Sequence, residues 1–357
     1  MIEQYTITTT PKYNFPHPTT DTTLPQRLIE LSLHSLKTAV NNNHFQLNQQ
    51  TIQQLFNNSQ SLNIKLTPIP LHPRSDTTVV VAVDTSSMKI GETATGTLIA
   101  LRGATVWKQK GNYRYIRLGP FMLHVTEENK TEVYNALQKA YSKTQLESQH
   151  QSLQNFQIPT RLANLLERWL QTTLSKTLTG GIILFDGSLT AGTTDTPTSL
   201  MKEILNNARM RGNIVLSFSK MTTLRVNGLL ITDLSLEQKP PYILEAEGLK
   251  TKPPTVLLGE VYIAKLTSGN YAFRLDIDKE IPTEQRIEAV ERLLGNDILT
   301  QGYPETLRLA HILCTFTANE VIAMQHFATH NYGLKIVNRP NMHKLLFGSF
   351  GKGENTS

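Results

Sequence analysis

The sequence contains very little cysteine and no long apolar run. Its single cysteine, Cys314, excludes an internal disulfide and a cysteine-rich zinc site within these 357 residues. No stretch of about 18 apolar residues is present, so no transmembrane helix is predicted. The N-terminal MIEQYTITTTPKYNF has neither the basic region nor the apolar core of a secretory signal. We therefore expect an intracellular, cytoplasmic protein with no membrane partner.

Acidic residues are fewer than basic ones. The formal net charge is +6 and the isoelectric point is near 9.2. Lysine and arginine neutralise phosphates, so this balance weakly favours an anionic partner such as nucleic acid. At 39% hydrophobic residues the chain can bury a substantial core, and its length allows one large domain or two modest ones.

Residues 1–75 are rich in Thr, Asn and Gln, and we interpret them as an N-terminal extension. Residues 24–40 have leucines at helical spacing, and 50–66 are a weaker helix candidate. We expect this helical extension to pack on the main domain, to dimerise, or to bind a partner. The main domain is predicted at 76–350, and the Gly-containing residues 351–357 are predicted to be a flexible tail.

The main domain begins with three strand candidates in close succession. They are TTVVVAVDTSSMKI (77–90), TATGTLIALRGATVW (93–107) and YRYIRLGPFMLHV (113–125). The first begins with a run of β-branched residues that ends at Asp84. Short connections between them predict an antiparallel meander. The polar residues 126–150 are a further helix candidate.

A strand–helix–strand unit follows the clearest helix of the middle region. That helix, 158–178, has an apolar stripe of Leu162, Leu165, Leu166, Trp169 and Leu170. The unit has strands at 181–186 and 213–218 and a helix at 197–211, which predicts a parallel crossover. The remaining elements are strands at 257–266 and 271–277 and helices at about 283–295 and 304–330. This order predicts an α/β fold of the ribonuclease H-like class, with a mixed sheet and flanking helices.

Asp84 and Asp186 are each predicted to end a strand of this sheet. These two strands are neighbours in a ribonuclease H-like sheet, so the two acids are expected to meet at one edge. Two such carboxylates repel each other unless a cation lies between them, and Mg²⁺ or Mn²⁺ suits oxygen ligands. The alternative is that each Asp only forms a turn, Asp84 before Thr85 and Asp186 before Gly187.

A third carboxylate is normally needed to hold one or two ions, and Glu167 is the predicted choice. It lies at the edge of the apolar stripe of the 158–178 helix. The alternative is a solvated flank paired with Gln171 or Arg168. The competing acids are Glu92, Glu203 and Asp276, of which Asp276 also follows a strand.

Three further side chains are candidates for handling phosphate or protons. His311 shares a helix face with Leu307 and Cys314, so it is expected to be partly buried; a core histidine is the alternative. Tyr303 precedes the proline that opens the same helix. Lys220 follows the strand IVLSFS and suits a phosphate, although a surface lysine is the alternative.

The motifs above occur in the order seen in the NurA nuclease family, which the chain resembles over roughly residues 75–350. The segments that carry the resemblance are VVVAVDTSS, IILFDGSL, VLSFSKMTTLR, GYPETLRLAHILCTFTANEV and the closing KLLFGSF. The Asp-Gly-Ser-Leu and Tyr-Pro…Ala-His parts are the most specific. Thr85 departs from the family's common Asp-Gly-Ser pattern, and residues 1–75 match no family motif.

The resemblance implies a metal-dependent nuclease, with Mn²⁺ preferred and Mg²⁺ as the alternative ion. It implies 5′-to-3′ exonuclease and single-strand endonuclease action on DNA, as a homodimer with HerA, a hexameric ATP-driven translocase. The implied setting is archaeal end resection in recombinational repair, at the nucleoid. Asp84 and Asp186 match family acids, Tyr303 and His311 match the C-terminal pair, and Glu167 matches the helical acid by position alone.

The expected mechanism places the metal on Asp84, Glu167 and Asp186, with Tyr303, His311 and Lys220 assisting the phosphate or the leaving group. DNA is expected to follow basic side chains at the edge of the site, namely Lys220, Arg209, Arg211 and Arg225. Two alternatives stay open. One is a DNA-binding adaptor of the translocase without chemistry, and the other is a structure-specific endonuclease or resolvase of the same fold.

Overall fold

The computed structural model describes residues 63–64, 67–141, 157–222, 224–226, 229–233, 238–249 and 251–337. The chain divides into two compact units, Met1–Asn58 and Ser59–Ser357, and the described residues belong to the second. The helix predicted at 24–40 and the tail at 351–357 lie outside the described residues.

The first strands are β1 (Asn63–Ile64), β2 (Ile69–Pro70), β3 (Val80–Glu92), β4 (Gly96–Gln109), β5 (Asn112–Thr126), β6 (Ile182–Asp186), β7 (Thr190–Ala191) and β8 (Ile214–Ser219). They are followed by β9 (Arg225–Val226), β10 (Leu229–Leu230), β11 (Tyr242–Glu247), β12 (Val256–Leu257), β13 (Gly259–Lys265), β14 (Phe273–Asp278), β15 (Leu299–Thr300) and β16 (Tyr303–Pro304). The helices are α1 (Lys130–Tyr141), α2 (Ile158–Thr177), α3 (Thr198–Met210), α4 (Thr283–Asn296), α5 (Glu305–Cys314) and α6 (Ala318–Tyr332), with a 3₁₀ turn at Ile231–Asp233.

One ten-stranded sheet organises the described residues, in the order β1-β11-β13-β14-β8-β6-β3-β4-β5, with β2 also paired to β11. β3, β4 and β5 form the predicted antiparallel meander, while β6 is parallel to both β3 and β8. The order β5-β4-β3-β6-β8 is the ribonuclease H-like arrangement, so the predicted fold class is confirmed. β1 falls within the helix predicted at 50–66, which is therefore wrong at its C-terminal end.

The sheet is covered on both faces, and alternation along its strands decides which residue faces which helix layer. Val80 and Ala82 of β3 pack in the cluster that includes Leu307 and Ala310 of α5. Val83 instead packs in the cluster that includes Leu170 of α2, together with residues of α3. The two helix layers therefore cover opposite faces of the sheet at its centre, around β3 and β6.

One predicted helix near the C-terminus and one predicted core residue of α2 differ from the structure. The single helix expected at 304–330 is two helices, because Thr317 caps the N-terminus of α6. The Thr317 hydroxyl accepts from the Glu320 amide at 3.3 Å, and the Glu320 carboxylate accepts from the Thr317 amide at 2.9 Å. Trp169, placed in the apolar stripe of α2, is 36% exposed, whereas Leu162, Leu165, Leu166 and Leu170 are buried as predicted. No described helix is both long and apolar enough to span a bilayer.

Candidate metal centre

Asp84 and Asp186 lie side by side at the centre of the sheet. The parallel register pairs Val80 with Ile182 and Ala82 with Leu184, and the two acids are the next residues of the same face on each strand. β6 ends at Asp186, as predicted, but β3 continues to Glu92, so Asp84 does not end its strand. Asp84 lies two residues beyond Ala82, the last β3 residue paired with β6, and its side chain is buried.

The two Asp-containing motifs differ in their backbone. Gly187 has φ +97°, a left-handed conformation that favours glycine and exposes Asp186 at the turn. Thr85 lies within β3, where its amide donates to Asp84 Oδ1 at 2.7 Å and its hydroxyl donates to the Ala163 carbonyl at 3.1 Å. The departure from Asp-Gly at the first motif is therefore accommodated, because an extended strand suits a β-branched residue.

Asp84 is held from α5. The Nδ1 atom of His311 lies 2.7 Å from Asp84 Oδ2, and Asp84 itself is only 7% exposed. The His311 side chain is 51% exposed, which is more than predicted. Its ring therefore lies between the buried Asp84 carboxylate and solvent.

Asp186 is held from the other side by Lys220 and Tyr303. The Lys220 Nζ donates to Asp186 Oδ2 at 2.8 Å, and the Tyr303 hydroxyl lies 3.4 Å from Asp186 Oδ1. Tyr303 packs edge-on against Phe218, with ring centres 6.1 Å apart. Burial raises the pKa of Tyr303 strongly, and the charges of Asp186 and Asp84 raise it further. The hydroxyl is consequently protonated throughout the neutral range.

Glu167 belongs electrostatically to the same cluster. It comes from α2, its side chain is 13% exposed, and its Oε1 accepts from Gln171 Nε2 at 2.9 Å and from Arg168 at 3.1 Å. Burial raises its pKa to about 7; Arg168 opposes this shift, while Asp84 and Asp186 add to it. Both aspartates are thus within electrostatic reach of Glu167.

The competing acids are engaged elsewhere. Both oxygens of Asp276 accept from the Arg274 guanidinium at 2.7 Å, and its side chain is fully buried. Asp276 pairs with Ser217. The next residue of that strand, Phe218, faces the side of the sheet on which the site lies, so Ser217 and Asp276 face the opposite side. Glu203 pairs with Lys176 on the surface, and Glu92 pairs with Lys89.

Of the four predicted DNA-binding residues, one contacts the cluster of acids. Lys220 lies beside Asp186, and Arg225 is an exposed residue of β9, which pairs with β10 apart from the main sheet. The structure does not bring Arg209 or Arg211 to this cluster: Arg209 pairs with Asp278, and the Arg211 carbonyl accepts from Gly180 just before β6 begins. The crossover helix α3 returns the chain to the start of β8, so its C-terminal residues lie at the far edge.

Cys314 is a neighbour of the cluster to which the sequence reasoning gave no role. It is fully buried on α5, one turn after His311. One ligand atom each from Asp84, His311 and Cys314 lie within 4.8 Å of one another. The His-x-x-Cys spacing was the signal for Cys314 that the sequence offered. It could be interpreted as a pair of ligand atoms only once the fold placed both residues beside Asp84.

The donor set fits a hard divalent cation. Three carboxylates, from β3, β6 and α2, influence one another electrostatically at partly buried positions, with Lys220 beside Asp186 and Arg168 beside Glu167. Carboxylate oxygens are the ligands that Mg²⁺ and Mn²⁺ prefer. Asp84, Glu167 and Asp186 are the residues that would hold such an ion.

Comparisons with known proteins place similar folds among nucleases. No protein-family model matches the chain, and neither does any curated protein. The NurA nuclease from Sulfolobus solfataricus is similar at 16% identity and a TM-score of 0.47, over 86% of this chain and 98% of the other. A NurA structure bound to dAMP and manganese gives 11% and 0.45, over 90% and 98%. Endonuclease V from Bacillus subtilis gives 14% and 0.35, over 80% and 94%.

Proposed function

We propose that the chain is a divalent-metal-dependent nuclease that hydrolyses phosphodiester bonds in DNA. The observation that carries the proposal is that Asp84 and Asp186 lie on adjacent central strands and each is contacted by a side chain suited to phosphate chemistry, with Glu167 close enough for both to raise its pKa. When bound, the ion supplies Lewis acidity to the phosphate and lowers the pKa of water.

The surrounding side chains have separate tasks in this proposal. Lys220 is 37% exposed, so its ammonium can reach a phosphate while it stays near Asp186. Tyr303, kept protonated, donates a hydrogen bond and cannot act as a base. Asp84 orients His311 through Nδ1, which leaves the other ring nitrogen to pass a proton to the leaving oxygen.

The motif resemblance extends this proposal to its finer points. The enzyme acts as a 5′-to-3′ exonuclease and as a single-strand endonuclease, with Mn²⁺ preferred over Mg²⁺. It works as a homodimer with a HerA-type translocase in DNA end resection. Lys220 and Arg225 guide the DNA backbone without reading bases.

The test uses duplex DNA labelled at the 5′ end or at the 3′ end, with Mn²⁺, Mg²⁺ or EDTA. We expect metal-dependent loss of label from the 5′ end, which Asp84→Ala and Asp186→Asn abolish. Glu203→Gln is the matched control, since it removes a charge from a surface acid outside the site and should leave the rate unchanged.

Three outcomes would count against the proposal. An Asp186→Asn protein that folds and keeps full Mn²⁺-dependent cleavage would remove the metal centre from the mechanism. DNA binding that is equal with Mn²⁺ and EDTA, with no cleavage of any substrate, would favour the adaptor. Internal cuts at branched substrates, with no shortening from ends, would favour a structure-specific endonuclease.

A further inference from the structure

One corner of the site combines oxygen, nitrogen and sulfur ligands. Asp84 contributes a carboxylate that is 7% exposed, while His311 and Cys314 project from successive turns of α5. One ligand atom from each lies within 4.8 Å of the other two. The thiol donates to the His311 carbonyl at 3.2 Å, so its sulfur is already directed along the helix toward this histidine.

We propose that Asp84, His311 and Cys314 form a second, thiophilic metal site, which takes Zn²⁺-class ions and competes with the catalytic ion for Asp84. A Zn²⁺ ion in this site removes Asp84 from the catalytic centre and so inhibits the nuclease. The inhibition rests on the function proposed above; the binding does not.

The Asp84 and His311 ligand atoms need only a small rearrangement. Tetrahedral Zn²⁺ with bonds of about 2.0–2.1 Å to nitrogen and oxygen holds these two atoms about 3.3 Å apart. His311 Nδ1 and Asp84 Oδ2 are 2.7 Å apart, so their hydrogen bond must open by roughly 0.6 Å to admit the ion. The half-exposed His311 ring can make this movement and gives the ion a path from solvent.

Ligand chemistry separates the two sites. Mn²⁺ and Mg²⁺ favour carboxylate oxygen and gain little from sulfur, whereas Zn²⁺ and Co²⁺ bind imidazole and thiolate well. The thiol proton leaves to solvent as the sulfur binds the metal, and the ion's charge compensates the thiolate that forms. Cys314 should therefore contribute to Zn²⁺ binding and contribute nothing to Mn²⁺-dependent cleavage.

The first experiment measures binding without reference to activity. The full chain is titrated with Co²⁺, whose bond to a thiolate produces a charge-transfer band in the near ultraviolet. Cys314 is the only cysteine in the sequence, so any such band reports this sulfur. We expect the band in the native chain, its complete loss in Cys314→Ser, and its displacement by Zn²⁺. Loss of the histidine ligand in His311→Ala should weaken Co²⁺ binding by about tenfold or more.

The second experiment measures inhibition. Cleavage at saturating Mn²⁺ is followed as Zn²⁺ is added, for the native chain and for Cys314→Ser, with thermal unfolding to confirm that both are folded. We expect equal rates without Zn²⁺ and an inhibitory Zn²⁺ concentration at least about tenfold higher for the variant, because one of three ligands is gone.

The outcomes distinguish this site from the proposed nuclease. Absence of the thiolate band, or a band unaffected by His311→Ala, overturns the metal site and leaves the nuclease standing. A band without any metal-dependent cleavage supports the site and contradicts the nuclease. Identical Zn²⁺ inhibition of both proteins would mean that Zn²⁺ acts through the carboxylates alone, and this too overturns the proposal.

Discussion

Glu167 is the residue at which burial and like charge act together. Its pKa is raised to about 7 from a usual value of 4.5, first by burial and then by Asp84 and Asp186, against the opposing effect of Arg168. Between these pH values the folded chain holds a proton that the unfolded chain has lost. Stability must therefore fall as pH rises through this window, by about 1.4 kcal/mol per pH unit.

We predict that Glu167→Gln removes this pH dependence from the metal-free protein. Urea unfolding of the native chain and of the variant, at several pH values between 4 and 8 and in EDTA, gives the two stability profiles. The native profile should fall relative to the variant from about pH 4.5 to about pH 7 and run parallel to it above. Parallel profiles over the whole range would show that Glu167 is not perturbed.

Tyr303 provides a second prediction at the residue scale. Tyr303→Phe keeps the ring packed against Phe218 and Phe273 and removes only the hydroxyl near Asp186. Stability should change by no more than about 1 kcal/mol, since one weak hydrogen bond is lost. Single-turnover cleavage should slow by about tenfold, equally at every pH, because the hydroxyl stays protonated. An alkaline decline present in the native chain and missing in the variant would show that the Tyr303 hydroxyl loses its proton within the measured range, which contradicts this prediction.

The elements themselves were largely predictable from local sequence. Alternating β-branched residues and the helical stripe of α2 are short-range signals, and they located β3 to β6 and α2 within a few residues. The break between α5 and α6 was also readable, because Thr317 and Glu320 form a capping box. The misplacement of Arg209 and Arg211 came from the direction of α3, which runs back along the sheet.

Pairings between distant residues were not predictable in the same way. His311 meets Asp84 across 227 positions of sequence, and Arg102 meets Glu320 across 218. Such contacts depend on which helix covers which sheet face, and local periodicity does not determine this. Asp186 was found because a strand end is a local feature, whereas Asp84 lies within β3 and Glu167 on α2. The partners of these acids became clear only in the folded chain.

The link between α6 and β4 gives a prediction at the scale of elements. Arg102 is 3% exposed and donates to both oxygens of Glu320, at 2.8 and 3.2 Å. Glu320→Gln leaves this buried guanidinium without its counter-charge and should destabilise the protein by about 1–3 kcal/mol, because Arg102 keeps its bond to the Thr315 carbonyl. Glu203→Gln, which breaks the solvent-exposed pair with Lys176, is the control and should cost less than about 1 kcal/mol. Equal effects in chemical unfolding would contradict the assignment.

At the scale of the whole molecule, the N-terminal boundary of the second compact unit determines which contacts the core retains. The second compact unit begins at Ser59, whereas sequence composition placed the boundary at residue 76. Leu71 is 3% exposed within the main core, and its amide donates to the Pro241 carbonyl at 3.1 Å. Arg74 Nε donates to Glu291 at 2.8 Å, and Glu291 is 7% exposed. Residues before 76 are thus part of the packed unit.

We therefore predict different consequences for two N-terminal truncations. A chain that begins at Ser59 keeps every site residue and should retain its thermal unfolding midpoint and Mn²⁺-dependent cleavage. A chain that begins at Asp76 loses Leu71 from the core, which should lower its stability by about 3 kcal/mol, and it also lacks the Arg74 partner of Glu291. Comparable stability of the two truncated chains would place the boundary at residue 76. Loss of cleavage by the first, with its stability intact, would instead assign the first 58 residues to DNA or partner binding.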